Sequence, residues 1–252
     1  MKTRSAEGMI HLIRGLILIL LISLPSGSAP LPGAEETVIL VHGLGRTPAS
    51  MLLLAARLEK SGFRVHRYGY PSRTETMEVL VDSLQADLGK RYGIRSSQLH
   101  FVTHSMGGIL VQSYLARQTG PHQGRVVMLS PPSRGSEIVD VFSGSHLLRK
   151  LLGPSGSRLG TGPGSIPDSL PPIRFRLGII TGKRSLNPLG SWLIPGPDDG
   201  KVSVDRAELP GASDFLVLPA SHTFIMNRKD VADEVVNFLR HGRFRDPVSQ
   251  VK

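Results

Sequence analysis

Cysteine is absent from this 252-residue chain. A disulfide framework, a thiolate metal site, a cysteine nucleophile and a lipid-modified amino-terminal cysteine are therefore excluded, although zinc held by histidine and carboxylate alone is not. Aromatic residues make up only 5% of the sequence, and no run of Lys or Arg exceeds two residues. A formal charge of +10 is thus scattered, without the interleaved basic and aromatic pattern of a nucleic-acid surface. The 28 Gly and 19 Pro follow no fixed period, which excludes a collagen-like repeat. There is no phosphate-loop lysine motif, no His-Glu-x-x-His and no Gly-x-Gly-x-x-Gly after a strand. Nothing in the sequence calls for a cofactor or a metal. What remains is 40% hydrophobic and 20% charged, the composition of a folded chain of one large or two small domains.

The amino terminus reads apart from the rest. Lys2, Arg4 and Arg14 precede the apolar run Gly15–Leu24, after which Pro25 and the small residues Ser26-Gly27-Ser28-Ala29 follow. Basic start, apolar centre and small-residue exit make residues 1–28 a secretory signal. The apolar run is about half of the roughly 20 residues a membrane-spanning helix needs. Export, to a periplasm or the medium, is the expectation; an uncleaved anchor over residues 10–24 is its alternative. Removing residues 1–28 takes away Lys2, Arg4, Arg14 and Glu7 and leaves +8. A basic surface of that size suits peripheral contact with an anionic membrane.

From residue 37 onward, short apolar runs alternate with helical periodicity. Thr37–Val41 is β-branched and apolar on both parities, as a strand covered on both faces should be. Further strands are expected over residues 63–68, 99–103, 125–129, 175–181 and 215–218. Between the first two, Thr47 and Pro48 open a helix that closes near Gly62. Ser72 and Glu75 have capping-box spacing ahead of a stripe made by Met77, Leu80, Val81, Leu84 and Leu88. Val231, Val235, Phe238 and Leu239 form the stripe of a last helix. The alternation predicts a mostly parallel, doubly wound sheet of about six strands with helices on both faces.

Residues 131–172 break the pattern. Their second half, Gly153–Pro172, holds five Gly and five Pro in twenty residues. A lid-like excursion over the carboxyl edge of the sheet is expected there, within a single domain over residues 36–241 followed by a tail, 242–252. Its apolar residues, including Val141, Leu147, Leu151 and Leu152, are enough to line an acyl site.

In Leu99-His100-Phe101-Val102-Thr103-His104-Ser105-Met106-Gly107-Gly108 an apolar strand runs straight into a serine, two glycines and a helix. So tight a turn strains the serine backbone and lifts its hydroxyl above the sheet. The segment resembles the nucleophile elbow of the α/β-hydrolase superfamily, in particular its small bacterial-type serine esterases and lipases. The usual elbow is Gly-x-Ser-x-Gly; here Thr103 stands at the first Gly. The resemblance spans roughly residues 36–241 and implies a minimal α/β-hydrolase fold with Ser105 as nucleophile, supported by His104 and Gly107.

The same resemblance assigns Val41-His42-Gly43-Leu44-Gly45 to the oxyanion loop. The backbone N–H groups of Leu44 and Met106 would receive the oxyanion, with His42, Gly43 and Gly45 shaping the loop. Pro197-Asp198-Asp199-Gly200 follows the strand at 175–181, where small lipases place the acid, and the match falls on Asp199, with Asp198 capping the turn. His222, in the loop after the last strand, takes the place of the base. Of the other histidines, His66 and His100 fall within strands, His104 adjoins the nucleophile, and His122 and His146 precede the acid. The implied activity is hydrolysis of a small-molecule or lipid carboxylic ester through an acyl-enzyme, with no cofactor. The alternatives are an acyltransferase or thioesterase using the same residues, or a non-catalytic envelope protein that binds in the same pocket.

Overall fold

A computed structural model describes residues 36–245. The expected signal segment and the end of the tail lie outside the described residues. Among these, six strands form one sheet: β1 (Thr37–Val41), β2 (Arg64–Tyr68), β3 (His100–His104), β4 (Arg125–Leu129), β5 (Arg176–Gly182) and β6 (Asp214–Leu218). Their spatial order is β2-β1-β3-β4-β5-β6, and every neighbouring pair is parallel. The helices are α1 (Leu52–Lys60), α2 (Met77–Tyr92), α3 (Met106–Ala116), α4 (Glu137–Ser143), α5 (His146–Gly156), α6 (Ile166–Ser169), α7 (Pro188–Leu193), α8 (Val204–Ala207) and α9 (Lys229–His241).

Because strand side chains alternate between faces, apolar residues of both parities build two cores. On one face Ile39, Phe101, Val126, Met128 and Ile179 pack against the apolar stripes of α2 and α3. On the other, Val38, Leu40, Val102, Val127 and Ile180 pack against α1 and α9. Phe238 of α9 is fully buried, and the bare backbone of Gly178 admits its ring: a Cβ there would lie 2.6 Å from it. Each such large apolar side chain contributes about 1.5–3 kcal/mol relative to exposure. The chain reverses direction across the sheet between β1 and β3, so α1 and α3 leave towards opposite faces and open a crevice at the carboxyl edge.

Two local expectations differ from the structure. Thr47 makes no side-chain cap; the segment Pro48–Met51 is a 3₁₀ turn that runs on into α1. The N-cap of α2 is Thr76, whose Oγ1 accepts from the Val79 N–H, rather than the Ser72–Glu75 pair. After Gly242, whose left-handed backbone (φ 71°) ends α9, the chain stays packed: Phe244 is buried against Phe238, and its N–H donates to Asp214 Oδ2 at 2.7 Å.

Residues 131–172 fold as α4, α5 and α6 along the carboxyl edge. Arg73 Nε donates to the Leu151 carbonyl (3.1 Å), and Ser155 Oγ donates to that of Glu75 (2.7 Å), fastening α5 to the loop after β2. Gly153, at φ 71°, is needed where α5 bends, because a Cβ there would strike the Arg73 carbonyl. Val139 joins the core, and Leu152 packs against it. Val141, Leu147 and Leu151 instead face outwards, so these three do not line an internal acyl site.

Candidate active site

The elbow forms as its residues require. Ser105 takes φ 52° and ψ −126°, a conformation costly for a side-chain-bearing residue and held here by its surroundings. Its N–H donates to the Leu129 carbonyl (2.9 Å), and its carbonyl accepts from Gly108 N–H (2.8 Å). Gly107 cannot be replaced without movement: a Cβ would lie 2.6 Å from the carbonyl oxygens of both Val41 and His42. Thr103 is tolerated at the usual glycine position because Gly108 faces it. A Cβ on Gly108 would come within 3.2 Å of Thr103 Oγ1.

Three side chains from three different loops meet above this turn. His222 Nε2 lies 3.0 Å from Ser105 Oγ, and its Nδ1 lies 2.9 Å from Asp199 Oδ2. A carboxylate can only accept, so Nδ1 carries the proton and Nε2 is free to receive one from the serine. Asp199 and His222 are buried, while the Ser105 residue is half-buried. Asp199 Oδ1 accepts the N–H groups of Lys201 (3.0 Å) and Val202 (2.9 Å). Burial alone would raise the Asp199 carboxyl. The charge and hydrogen bond of His222, with the Val202 amide and the neighbouring Ser130 hydroxyl, outweigh it and hold the group below the usual carboxylate range. Asp198 does cap the turn, its Oδ1 accepting from Gly200 N–H (2.6 Å) and Ser191 Oγ (2.7 Å).

His104 is a brace. Its Nε2 donates to the His222 carbonyl at 2.9 Å, while the His222 N–H donates to the Asp199 carbonyl at 2.9 Å. The backbone of His222 is thereby pinned on both sides. Burial, reinforced by the nearby His222, pushes the His104 imidazole well below its ordinary pKa and keeps it neutral. Gly43 leaves room for this ring, since a Cβ there would sit 2.8 Å from His104 Nδ1 and 3.1 Å from Ser105 Cβ.

That contact also puts the loop after β1 beside the serine. Within the loop, Gly45 N–H donates to Ser72 Oγ (2.9 Å) and Arg46 N–H to the Gly43 carbonyl (3.2 Å). No acceptor among the described residues takes the Leu44 N–H. Met106 opens α3, so its N–H has no acceptor within the helix, and the positive end of the helix dipole lies there. His42 is structural: it is fully buried, donates from Nδ1 to the Gly43 carbonyl (2.9 Å) and stacks on Tyr70 with ring centroids 4.3 Å apart. Burial lowers its pKa. Tyr70 in turn donates its hydroxyl to the His42 carbonyl at 2.7 Å.

The structure thus brings together Ser105, His222 and Asp199 and sets the Leu44 loop beside them. The supports missed by sequence reasoning are Ser72, Tyr70 and Ser130. Ser130, directly after β4, is the one other non-glycine residue with positive φ (48°) among the described residues. Its position between a strand and Pro131-Pro132 was the available signal. Among the described residues, no group of three or more His, Asp or Glu side chains could hold a metal ion.

Comparison with known proteins accords with this geometry. The sequence profile of the alpha/beta hydrolase family matches residues 38–239, and the chain belongs to that family. No curated protein sequence matches. Among solved structures, a mature lipase of Bacillus licheniformis superposes with a TM-score of 0.65 at 22% identity, covering 81% of this chain and 91% of that one. A lipase-esterase related protein of Clostridium acetobutylicum gives 0.54 at 16%, covering 81% and 94%. A phospholipase of Legionella pneumophila gives 0.57 at 16%, covering 80% of this chain and 57% of that one. At these identities the likeness is one of fold.

Proposed function

We propose that this protein is a serine hydrolase that cleaves carboxylic esters through an acyl-enzyme. The observation that carries the reading is the continuous relay Ser105–His222–Asp199, with links of 3.0 and 2.9 Å, at the carboxyl edge of an alpha/beta hydrolase sheet. His222 Nε2 takes the Ser105 proton as Oγ attacks the ester carbonyl. Asp199 keeps the imidazole in the required tautomer and stabilises the imidazolium. The N–H groups of Leu44 and Met106 receive the oxyanion, which is where interactions made only in the transition state accelerate the reaction. The imidazolium then protonates the departing alcohol, and a water activated by His222 releases the acid.

The test is labelling with a fluorophosphonate together with hydrolysis of a chain-length series of p-nitrophenyl esters. Wild type is expected to label and turn over. Ser105→Ala is expected to do neither while keeping its circular dichroism. Activity of that variant within tenfold of wild type would refute the assignment.

A further inference from the structure

The large hydrophobic side chains that stand exposed are not spread over the surface. All of them lie in the segments that leave the carboxyl ends of the strands or in the first turns of the helices those segments enter. The excursion after β4 contributes Val141, Leu147 and Leu151, the last two 68% and 50% exposed. The loop after β5 contributes Leu189 and Trp192, 82% and 84% exposed, and Phe224 follows His222. The connections that re-enter the sheet at its opposite edge contribute none among the described side chains. Ordinary soluble surfaces scatter such residues singly; a concentration on one edge marks a contact site.

Those of the excursion, of α7 and at Phe224 lie on elements that border the candidate active site. Helix α7 is pinned to the Asp198–Gly200 turn by Ser191 Oγ donating to Asp198 Oδ1, and α4 packs beside α7. Helix α5 reaches the other side of the crevice, where Gly156 lies against the Leu44 side chain. Cations are interleaved with the apolar groups. Arg149 and Lys150 stand between Leu147 and Leu151, and Lys183 and Arg184 precede Leu186. All four are exposed, and none makes an ion pair among the described residues. Of the acids in the same region, Glu78, Glu137 and Asp205 pair with Arg158, Arg206 and Arg134, while Asp140 and Asp168 accept hydrogen bonds from Thr161 and from Gly164 N–H. Apolar side chains that penetrate and unpaired cations beside them are the two elements of an interfacial membrane contact.

We infer that the carboxyl edge of the sheet docks on an anionic lipid surface, with α5, α7 and Phe224 entering the headgroup layer and the Ser105 crevice opening towards the bilayer. A second copy of the chain would cover the apolar groups but would bring two cationic faces together; an anionic bilayer satisfies both features. The contact needs no membrane-spanning element, and no described helix is long and apolar enough to cross a membrane.

Trp192 is the single tryptophan of the chain and sits in the proposed contact, so its emission reports this face and not the amino-terminal segment. The full-length protein is titrated with phosphatidylcholine vesicles, with and without phosphatidylglycerol. The anionic vesicles are expected to shift the emission to the blue and protect it from acrylamide. The quadruple variant Arg149→Glu, Lys150→Glu, Lys183→Glu, Arg184→Glu should need at least about tenfold more anionic lipid for the same shift. Leu147→Ser with Leu151→Ser, which leaves the charges alone, should also weaken it. Each variant is first shown to retain wild-type circular dichroism and turnover of a soluble ester. Ser105→Ala must shift like wild type, which keeps this test separate from the fate of the hydrolase reading. Emission that stays put while the protein sediments with vesicles overturns the inference. So does a shift that appears without lipid and grows with protein concentration, or one that the charge reversals leave unchanged.

Discussion

The neighbouring carboxylates Asp198 and Asp199 offer a sharp test because the same substitution has different consequences at each. In Asp199→Asn the side-chain oxygen keeps the N–H groups of Lys201 and Val202, so the turn is retained. The amide nitrogen then faces His222 Nδ1 and can only donate to it. The imidazole must move its proton to Nε2, where it points at Ser105 Oγ and no longer accepts from it. The same loss of tautomer in serine proteases lowers turnover by about 10⁴-fold, equivalent to about 5.5 kcal/mol of barrier. In Asp198→Asn both hydrogen bonds, from Gly200 N–H and Ser191 Oγ, fall on one oxygen and are retained. What is lost is their charge assistance, about 1–2 kcal/mol of stability with turnover within threefold of wild type. The assay is kcat on a soluble p-nitrophenyl ester for both variants, with urea unfolding to measure stability. A dead Asp198 variant would move the acid by one residue. An Asp199 variant within tenfold of wild type would show that the buried carboxylate is structural.

Gly107→Ala should destabilise the fold by about 2–4 kcal/mol and cut activity in the folded fraction, because the new Cβ meets the carbonyls of Val41, at the end of β1, and of His42 just after it; a urea midpoint unchanged from wild type would contradict the elbow geometry. Ser72→Ala should lose about 1 kcal/mol and lower kcat roughly tenfold, since the freed Gly45 amide lets the Leu44 loop relax; an unchanged kcat would mean that the loop is held by other contacts. Acidification should weaken the fold through His42, His104 and His122, all of which burial depresses, His122 to about 4. Unfolded, each takes up a proton near pH 6.5; folded, each stays neutral to lower pH. Stability is therefore full above that pH and falls below it by up to about 1.4 kcal/mol per pH unit for each histidine, which urea unfolding between pH 7 and 5 would measure. The depressed carboxyl of Asp199 adds its own loss only as pH falls through the acidic carboxylate range.

The residues legible in the sequence are those whose role is set by the chain immediately around them. Ser105 announces itself because an apolar strand, a serine and two glycines are adjacent, whereas Asp199 and His222 are found only through the resemblance to the family, which says which loops to search. The alternating apolar parities of β1, β3 and β4 likewise make the two-faced sheet readable. Ser72 was misread for the opposite reason. Its spacing to Glu75 satisfies a local rule, but Gly45, 27 positions away, takes its hydroxyl, and Thr76 caps the helix instead. Tyr70 and Ser130 are invisible in sequence because the groups they serve, the His42 carbonyl that accepts from Tyr70 and the Asp199 carboxyl that Ser130 neighbours, come from other loops.

Thr103 and Leu147 show what a single chain withholds. At Thr103 the departure from the family pattern raises a doubt that only the facing residue resolves: the two glycines after Ser105 divide the work, Gly107 clearing the carbonyls of the β1 end and Gly108 clearing the threonine. At Leu147 and Leu151 hydrophobicity argues for an interior site, yet α5 turns both outwards beside Arg149 and Lys150. An apolar side chain in sequence reports only that water is a poor environment for it, and not whether protein or lipid replaces the water. Here the direction of α5 and its unpaired cations are the observations on which the inference of a lipid contact rests. If that contact forms, the residues read as a lid bring Ser105 to its substrate's phase instead of shielding it, and the exposed apolar edge ceases to be a solubility liability.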